Sequence, residues 1–264
     1  MSNPISTSQT IISAKTVDIY IPSLKETLPF KNLTIKQYTT CITMRFNTDN
    51  SQEETPELFK FVVFLAQIAV DNCLSDKKDK LLLNDLPAIV LALRAFSENL
   101  LKIKTVKDDV RDINLAVHLE SKKNKEAITP FKQEISTDLV NVVLTVPTLK
   151  EYIKLSEDLI IFTQKNIETG DVFLFDFLKF ISTITSKDCS VKIDFRSLSL
   201  TEQLELVYSL DFSIILNSKE FIKTNRSVFN HYLYFDKDTV PVSDADTVFE
   251  PILLDLTPRL FTGI

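Results

Sequence analysis

The stretch Asp18–Tyr38, DIYIPSLKETLPFKNLTIKQY, decides how this chain begins. Two short alternating apolar runs flank the polar turn LKET, and a period of two over so few residues predicts a β-hairpin. Leu33 and Thr34 then open a new pattern. Thr34 is placed to cap a helix whose apolar positions Ile35, Tyr38 and Ile42, with Phe46 beyond, recur every three or four residues and predict an inward-facing stripe.

Working outward, NTDNSQEETPE interrupts the pattern, and Thr55 followed by Pro56 reads as an N-cap with proline at the first helical position. From Pro56 to Cys73 the residues are apolar on almost every face, so this helix is expected either in the centre of the core or beneath a partner chain. LLLNDLPAIVLALRAFSENLLKI predicts a further helix from Leu86 to Ile103. Asp85 stands at its cap and Pro87 in its first turn, and Leu86, Ile89, Val90, Leu93, Phe96 and Leu100 form its stripe. Arg94 lies within that helix. An arginine there either meets a carboxylate or snorkels at the edge of the stripe.

Periodicity then changes to two. RDINLAVHLES and ITPFKQEIST, separated by SKKNKE, predict a second hairpin, and Leu139 to Val146 a further strand that Pro147 ends. Thr148 is placed to cap TLKEYIKLSEDL. DVFLFDFLKFISTIT is expected to be helical, with Val172, Phe175, Leu178 and Ser182 on one face. Ser199 and Glu202 have the spacing of a capping box ahead of a helix that runs on through DFSIILNS. NHYLYFD and TVFEPILLDL, across the acidic loop KDTVPVSDAD, predict a third hairpin. The expected fold is therefore α+β, mainly helical, with an N-terminal β-hairpin and small antiparallel hairpins in the middle and at the C-terminus.

The expected organisation is a flexible arm over 1–16, a hairpin plus helical unit over 17–105, and an α+β unit over 106–264. No Gly- or Pro-rich linker separates the last two, which leaves a shared core open. Of 264 residues, 44% are hydrophobic and 25% charged, an ordinary globular balance. The net charge of -6 argues against a protein whose main ligand is a nucleic-acid backbone. The longest apolar run, FVVFLAQIAV, is too short to span a bilayer. Three scattered cysteines, Cys41, Cys73 and Cys189, form no closed disulfide framework and point to a reducing compartment.

Signatures of chemistry are sparse. Two glycines, Gly170 and Gly263, leave no material for a phosphate-cradling loop. His118 and His231 have no second ligand at metal spacing. The acidic run with Asp236, Asp238, Asp244 and Asp246 lacks the glycine and terminal glutamate of a calcium loop, and a solvated hairpin tip is its ordinary reading. Adjacent carboxylates such as Asp108 with Asp109 and Glu157 with Asp158 point apart rather than at one substrate. No cofactor is expected, and an enzyme would need a site assembled from scattered residues, such as a deep pocket holding carboxylates or His231.

The order of elements carries more. Ile21-Pro22-Ser23 after the first strand, the helix start Leu33-Thr34 with Lys36, and Asp85 followed by Leu93, Arg94 and Ser97 on one helix resemble the baseplate hub assembly family of T-even-like contractile-tailed bacteriophages. The Leu/Phe-rich end with Leu260 and Phe261 fits more loosely. In relatives the later hairpins often carry paired cysteines in a zinc-ribbon-like manner. None stands in the corresponding hairpins here, so the resemblance implies hairpins held by apolar packing.

It further implies a non-enzymatic viral protein of the tail baseplate or of the host cytoplasm during assembly, whose partners are other hub or tail proteins, with self-association as a further option. Ile19, Ile21, Phe30, Phe61 and Phe64 are the expected partner-contact residues. A transient tail assembly chaperone, holding a hub or tape-measure protein and then leaving, is the alternative.

Overall fold

The computed structural model describes residues 15–43, 56–98, 100–104, 110–114, 132–163, 169–226, 230–233 and 252–255. Strands β1 (Thr16–Ile21) and β2 (Glu26–Lys31) pair antiparallel, with Ile21 opposite Glu26 and Ile19 opposite Leu28. The turn between them closes through Lys25, whose φ of 53° is left-handed. Alternation buries Ile19, Ile21, Leu28 and Phe30 on one face, as the period of two requires. Pro29 lacks an N–H, but its carbonyl accepts from Leu74 N at 2.9 Å, so the outer edge of β2 is covered by chain from beyond the next two helices.

Helices α1 (Ile35–Thr43), α2 (Pro56–Asn72) and α3 (Leu86–Ser97) follow. Thr34 and Gln37 form a reciprocal cap, Oγ1 accepting from Gln37 N at 3.1 Å and Oε1 from Thr34 N at 2.9 Å. The face of α1 differs from expectation. Cys41 is the side chain α1 buries, whereas Ile35 is 88% exposed and Ile42 also faces out. Hydrogen bonds on Gln37 and Tyr38, described below, turn the helix this way.

Helix α3 ends earlier than its apolar pattern predicts. Glu98 is extended at φ -153° and ψ 107°, and Leu100–Lys104 form β3, paired antiparallel with β4 (Val110–Asn114). LLKIK satisfies both periods. The pairing with a later strand, which helical spacing cannot register, settles it. The expected pairing of RDINLAVHLES with ITPFKQEIST is therefore not the one formed among the described residues: β4 pairs back with β3, and Lys132–Ser136 of the second run pairs instead with the strand that follows it, while 115–131 lie outside the described residues.

Strands β5 (Lys132–Ser136), β6 (Val140–Thr145), β7 (Ile181–Ser186) and β8 (Lys192–Asp194) make an antiparallel sheet in that order. Helices α4 (Leu149–Phe162) and α5 (Thr169–Leu178) lie between β6 and β7. The expected helix through ISTIT therefore stops at Leu178. A β-branched run is a strand by preference, and Phe180 O takes the Thr145 amide at 2.8 Å as the chain enters the sheet.

Thr148 caps α4 as predicted, with Glu151 completing a capping box, and Ser199 and Glu202 cap α6 (Leu200–Tyr208). The continuous helix expected beyond divides at Ser209–Asp211. The Asp211 carboxylate accepts from Ser213 N at 2.7 Å and starts α7 (Phe212–Arg226) afresh. At the end β9 (Asn230–Leu233) pairs with β10 (Ile252–Asp255), the third expected hairpin, whose connecting loop lies outside the described residues.

Helix α2 is central. It packs on α3, α4 and α5, and its Phe59 ring meets Phe175 edge-on at 4.9 Å. Leu83 N bonds Pro147 O and Leu149 N bonds Leu81 O, so the segment ahead of α3 runs beside the start of α4. Cys41 and Cys73 are buried free thiols, and burial pushes Cys41 up to about 12, away from any nucleophilic role near neutrality. No helix among the described residues is long and apolar enough to cross a membrane.

Candidate functional site

Residues from the turn of the first hairpin and from the start of α3, 62 positions apart, meet directly. Ser23 N donates to Asp85 Oδ1 at 3.0 Å and Ser23 Oγ to Oδ2 at 2.6 Å, while Leu82 N donates to the same Oδ2 at 2.8 Å. Asp85 precedes α3 as expected, yet its carboxylate caps no amide of that helix. It is 1% exposed, and burial raises its pKa while the donors from Ser23 and Leu82 oppose the rise. The turn is thereby fixed to the helix.

A second set of bonds fastens the other end of α3. Asn32 Oδ1 accepts from Leu33 N at 2.8 Å and from Ser97 Oγ at 3.0 Å. Arg94, 2% exposed, pairs with the Glu98 carboxylate at 3.1 Å and also donates to the Glu98 carbonyl, so it meets a carboxylate rather than snorkelling. The Tyr38 hydroxyl donates to the same carboxylate at 3.0 Å, and Gln37 Nε2 donates to Asn72 Oδ1 at 3.1 Å. Burial, foremost, raises the Tyr38 hydroxyl pKa. Hairpin, α1, α2 and α3 thus form one framework, with Ile35 and Ile42 displayed on its outer side and Phe96 exposed on α3.

Of the expected contact residues, Ile19, Ile21, Phe30 and Phe61 lie inside this chain's own core, and Phe64 is partly buried against it. His118 and the acidic loop lie outside the described residues, as does the side chain of His231. Among the described residues no group of three or more His, Cys, Asp or Glu side chains could hold a metal ion.

A small cleft of about 50 Å³ lies elsewhere, between α4, the end of α5, the 3-10 turn Phe195–Ser197 and α6. Arg196 Nη1 donates to Glu151 Oε2 at 3.0 Å, and Nη2 to Thr145 O and Oγ1, each at 2.8 Å. Burial lowers the Arg196 pKa, and Glu151 counteracts it. Beside it the buried Lys179 ammonium pairs with Asp176 and stands 5.3 Å from the Phe180 ring centroid. Sequence reading passed over Arg196 and Gln203. The available signal was a glutamine on the same buried face as Leu200, Leu204 and Val207, spaced three, four and seven residues from the start of α6.

Comparison with known families agrees with the motifs now joined at the hairpin. The family model described as T4 bacteriophage base plate protein matches residues 14–234. The chain belongs to this family. That span takes in both fastenings of α3 and the cleft, so the whole described framework up to β9 lies within the baseplate family's extent. Searches of curated proteins and of solved structures returned no match.

Proposed function

We propose that this baseplate-family chain is a non-enzymatic subunit of the tail baseplate hub, or a factor in hub assembly, acting through contacts with other tail proteins. The family match along 14–234 carries this reading. The surface agrees with it in character, because the α1 row of Ile35 and Ile42 is apolar, solvent-facing and held on a hydrogen-bonded framework. In this reading Ile19, Ile21, Phe30 and Phe61 act from within, by fixing the hairpin and α2 in place. Phe64, only partly buried, is the member of that set that would meet a partner.

A mass-spectrometric inventory of purified particles and infected-cell lysate, with affinity capture from the lysate, tests the proposal. Fixed low copy number in particles together with captured hub proteins is the expected result. Presence in lysate alone, bound to a hub or tape-measure protein, replaces it with a transient chaperone. Capture of no tail protein overturns both.

A further inference from the structure

We propose that the outer edge of β1 takes up an extended segment of a partner protein as a further antiparallel strand, its alternate residues apolar and the one opposite Asp18 cationic. That the partner is a tail protein rests on the function proposed above, whereas the edge stands on the hairpin's own register.

Asn32 N bonds Lys15 O at 2.9 Å, and Pro29, opposite Asp18, turns its carbonyl away from β1 to Leu74 N. Bonded and non-bonded pairs alternate in an antiparallel ladder, so Lys15, Val17, Ile19 and Ile21 are the residues bonded to β2, and the N–H and C=O groups of Thr16, Asp18 and Tyr20 point the other way. Among the described residues no hydrogen bond reaches these outward groups, and β1 and β2 form a two-stranded sheet. Thr16 and Asp18 are exposed and Tyr20 partly so. Backbone donors and acceptors repeating every second residue are complementary to the backbone of another strand.

The edge is also held in place. Ser23 on Asp85 fixes the chain just beyond Ile21, and Asn32 on Ser97 fixes it beside Lys15, so little ordering is left to oppose binding. The edges of the four-stranded sheet are better guarded: β8 has three residues and its Asp194 carbonyl accepts from Ser197 Oγ, while β5 presents Lys132 and Glu134. The two faces of β1 describe the occupant. Val17, Ile19 and Ile21 face the core where α3 packs on β1, so the inward residues of an added strand continue an apolar row. Asp18 stands on the other face between Thr16 and Tyr20, and a Lys or Arg directly across from it is favoured. A second copy fits less well, since the antiparallel overlap centred on Asp18 sets two of these carboxylates face to face.

The probe is an end-blocked peptide, Val-Thr-Val-Lys-Val-Thr-Val, titrated into the isotopically labelled full chain while backbone amides are followed. Saturable shifts and slowed hydrogen exchange at Thr16, Asp18 and Tyr20 are expected. A peptide with Glu in place of Lys should bind about two- to fivefold more weakly, and Asp18→Lys should reverse that preference. Asp18→Pro removes an outward N–H without touching the ladder to β2 and should lose binding. Should that variant not fold, the peptide N-methylated at its lysine takes its place and should fail to bind. No shift at the three amides overturns the proposal, as does undiminished binding by folded Asp18→Pro or by the methylated peptide. So does protection of the three amides in the free chain, which shows the edge to be covered already, by a second copy if dilution removes the protection and by this chain if it does not. The titration needs no baseplate, so peptide binding by a chain that captures no tail protein would sink the functional reading and leave the edge, and tail-protein capture by a chain that binds no peptide would do the opposite.

Discussion

Ser23 and Asp85 are joined twice, through the Ser23 amide and the Ser23 hydroxyl, and this pair couples the first hairpin to the start of α3. Asp85→Asn keeps the shape but places an NH2 where Oδ2 now accepts from both Ser23 Oγ and Leu82 N. Bonds to a charged group contribute about 1.5–3 kcal/mol each, so a loss of about 2–4 kcal/mol is expected for Asp85→Asn and about 1–2 kcal/mol for Ser23→Ala. Urea unfolding of the single and double variants should show the two effects to be less than additive.

The same residue sets a pH dependence. Burial holds Asp85 above its unfolded value of about 3.9, so the folded chain binds the extra proton in the interval between the two. The associated stability is fully present below about 3.9 and is lost as pH rises through the raised folded value. Unfolding free energies of wild type and Asp85→Asn, measured across the carboxylate range, should differ in slope in that interval and run parallel above it. Parallel curves throughout would contradict the assignment.

Arg94 separates charge from volume. Its partner carboxylate on Glu98 is more than half exposed, so removing the guanidinium strands no buried anion, whereas removing the whole side chain opens the interior. Arg94→Met is expected to cost less than about 1.5 kcal/mol, and Arg94→Ala about 3 kcal/mol. Thermal unfolding of the two variants side by side measures the difference.

At the start of α4, Thr148 Oγ1 accepts from Glu151 N at 3.2 Å, and Glu151 Oε2 returns the bond to Thr148 N at 2.8 Å while also holding Arg196. Thr148→Ala should cost about 1 kcal/mol, the usual value of a lost cap. Glu151→Ala should cost more, because it also leaves the Arg196 guanidinium short of its carboxylate. Equal effects in chemical denaturation would show that the ion pair contributes nothing.

On the surface, Ile35→Glu and Ile42→Glu alter side chains that face solvent and should change stability by no more than about 0.5 kcal/mol. Loss of tail-protein capture by the folded double variant is expected if the α1 row is a contact. Undiminished capture would place the contact elsewhere.

Local signals sufficed where the physics is local. The first hairpin follows from alternation around LKET, and the starts of α1, α4 and α6 follow from Thr34, Thr148 and Ser199, because a cap bonds an amide three residues away. The baseplate family was legible too, through residues widely spaced in the chain. Three elements were not legible in this way. α3 and α5 end before their apolar patterns do, since LLKIK and ISTIT find strand partners whose positions no helical spacing records. The buried face of α1 keeps Tyr38 but takes Cys41 in place of Ile35 and Ile42, and Gln37 and Tyr38 bond to Asn72 and Glu98, which lie 35 and 60 residues away.

The chain by itself therefore determined which segments are helical at their starts, which alternate, and to which family they belong, because caps and periodicities act within a turn or two of backbone. Tertiary structure alone decided what Asp85 and Arg94 bond, which apolar residues remain outside, and that Arg196 and Gln203 share a cleft. Those outcomes depend on groups from distant segments completing one another's hydrogen bonds as the core closes, and a residue's type does not specify the partner it will find.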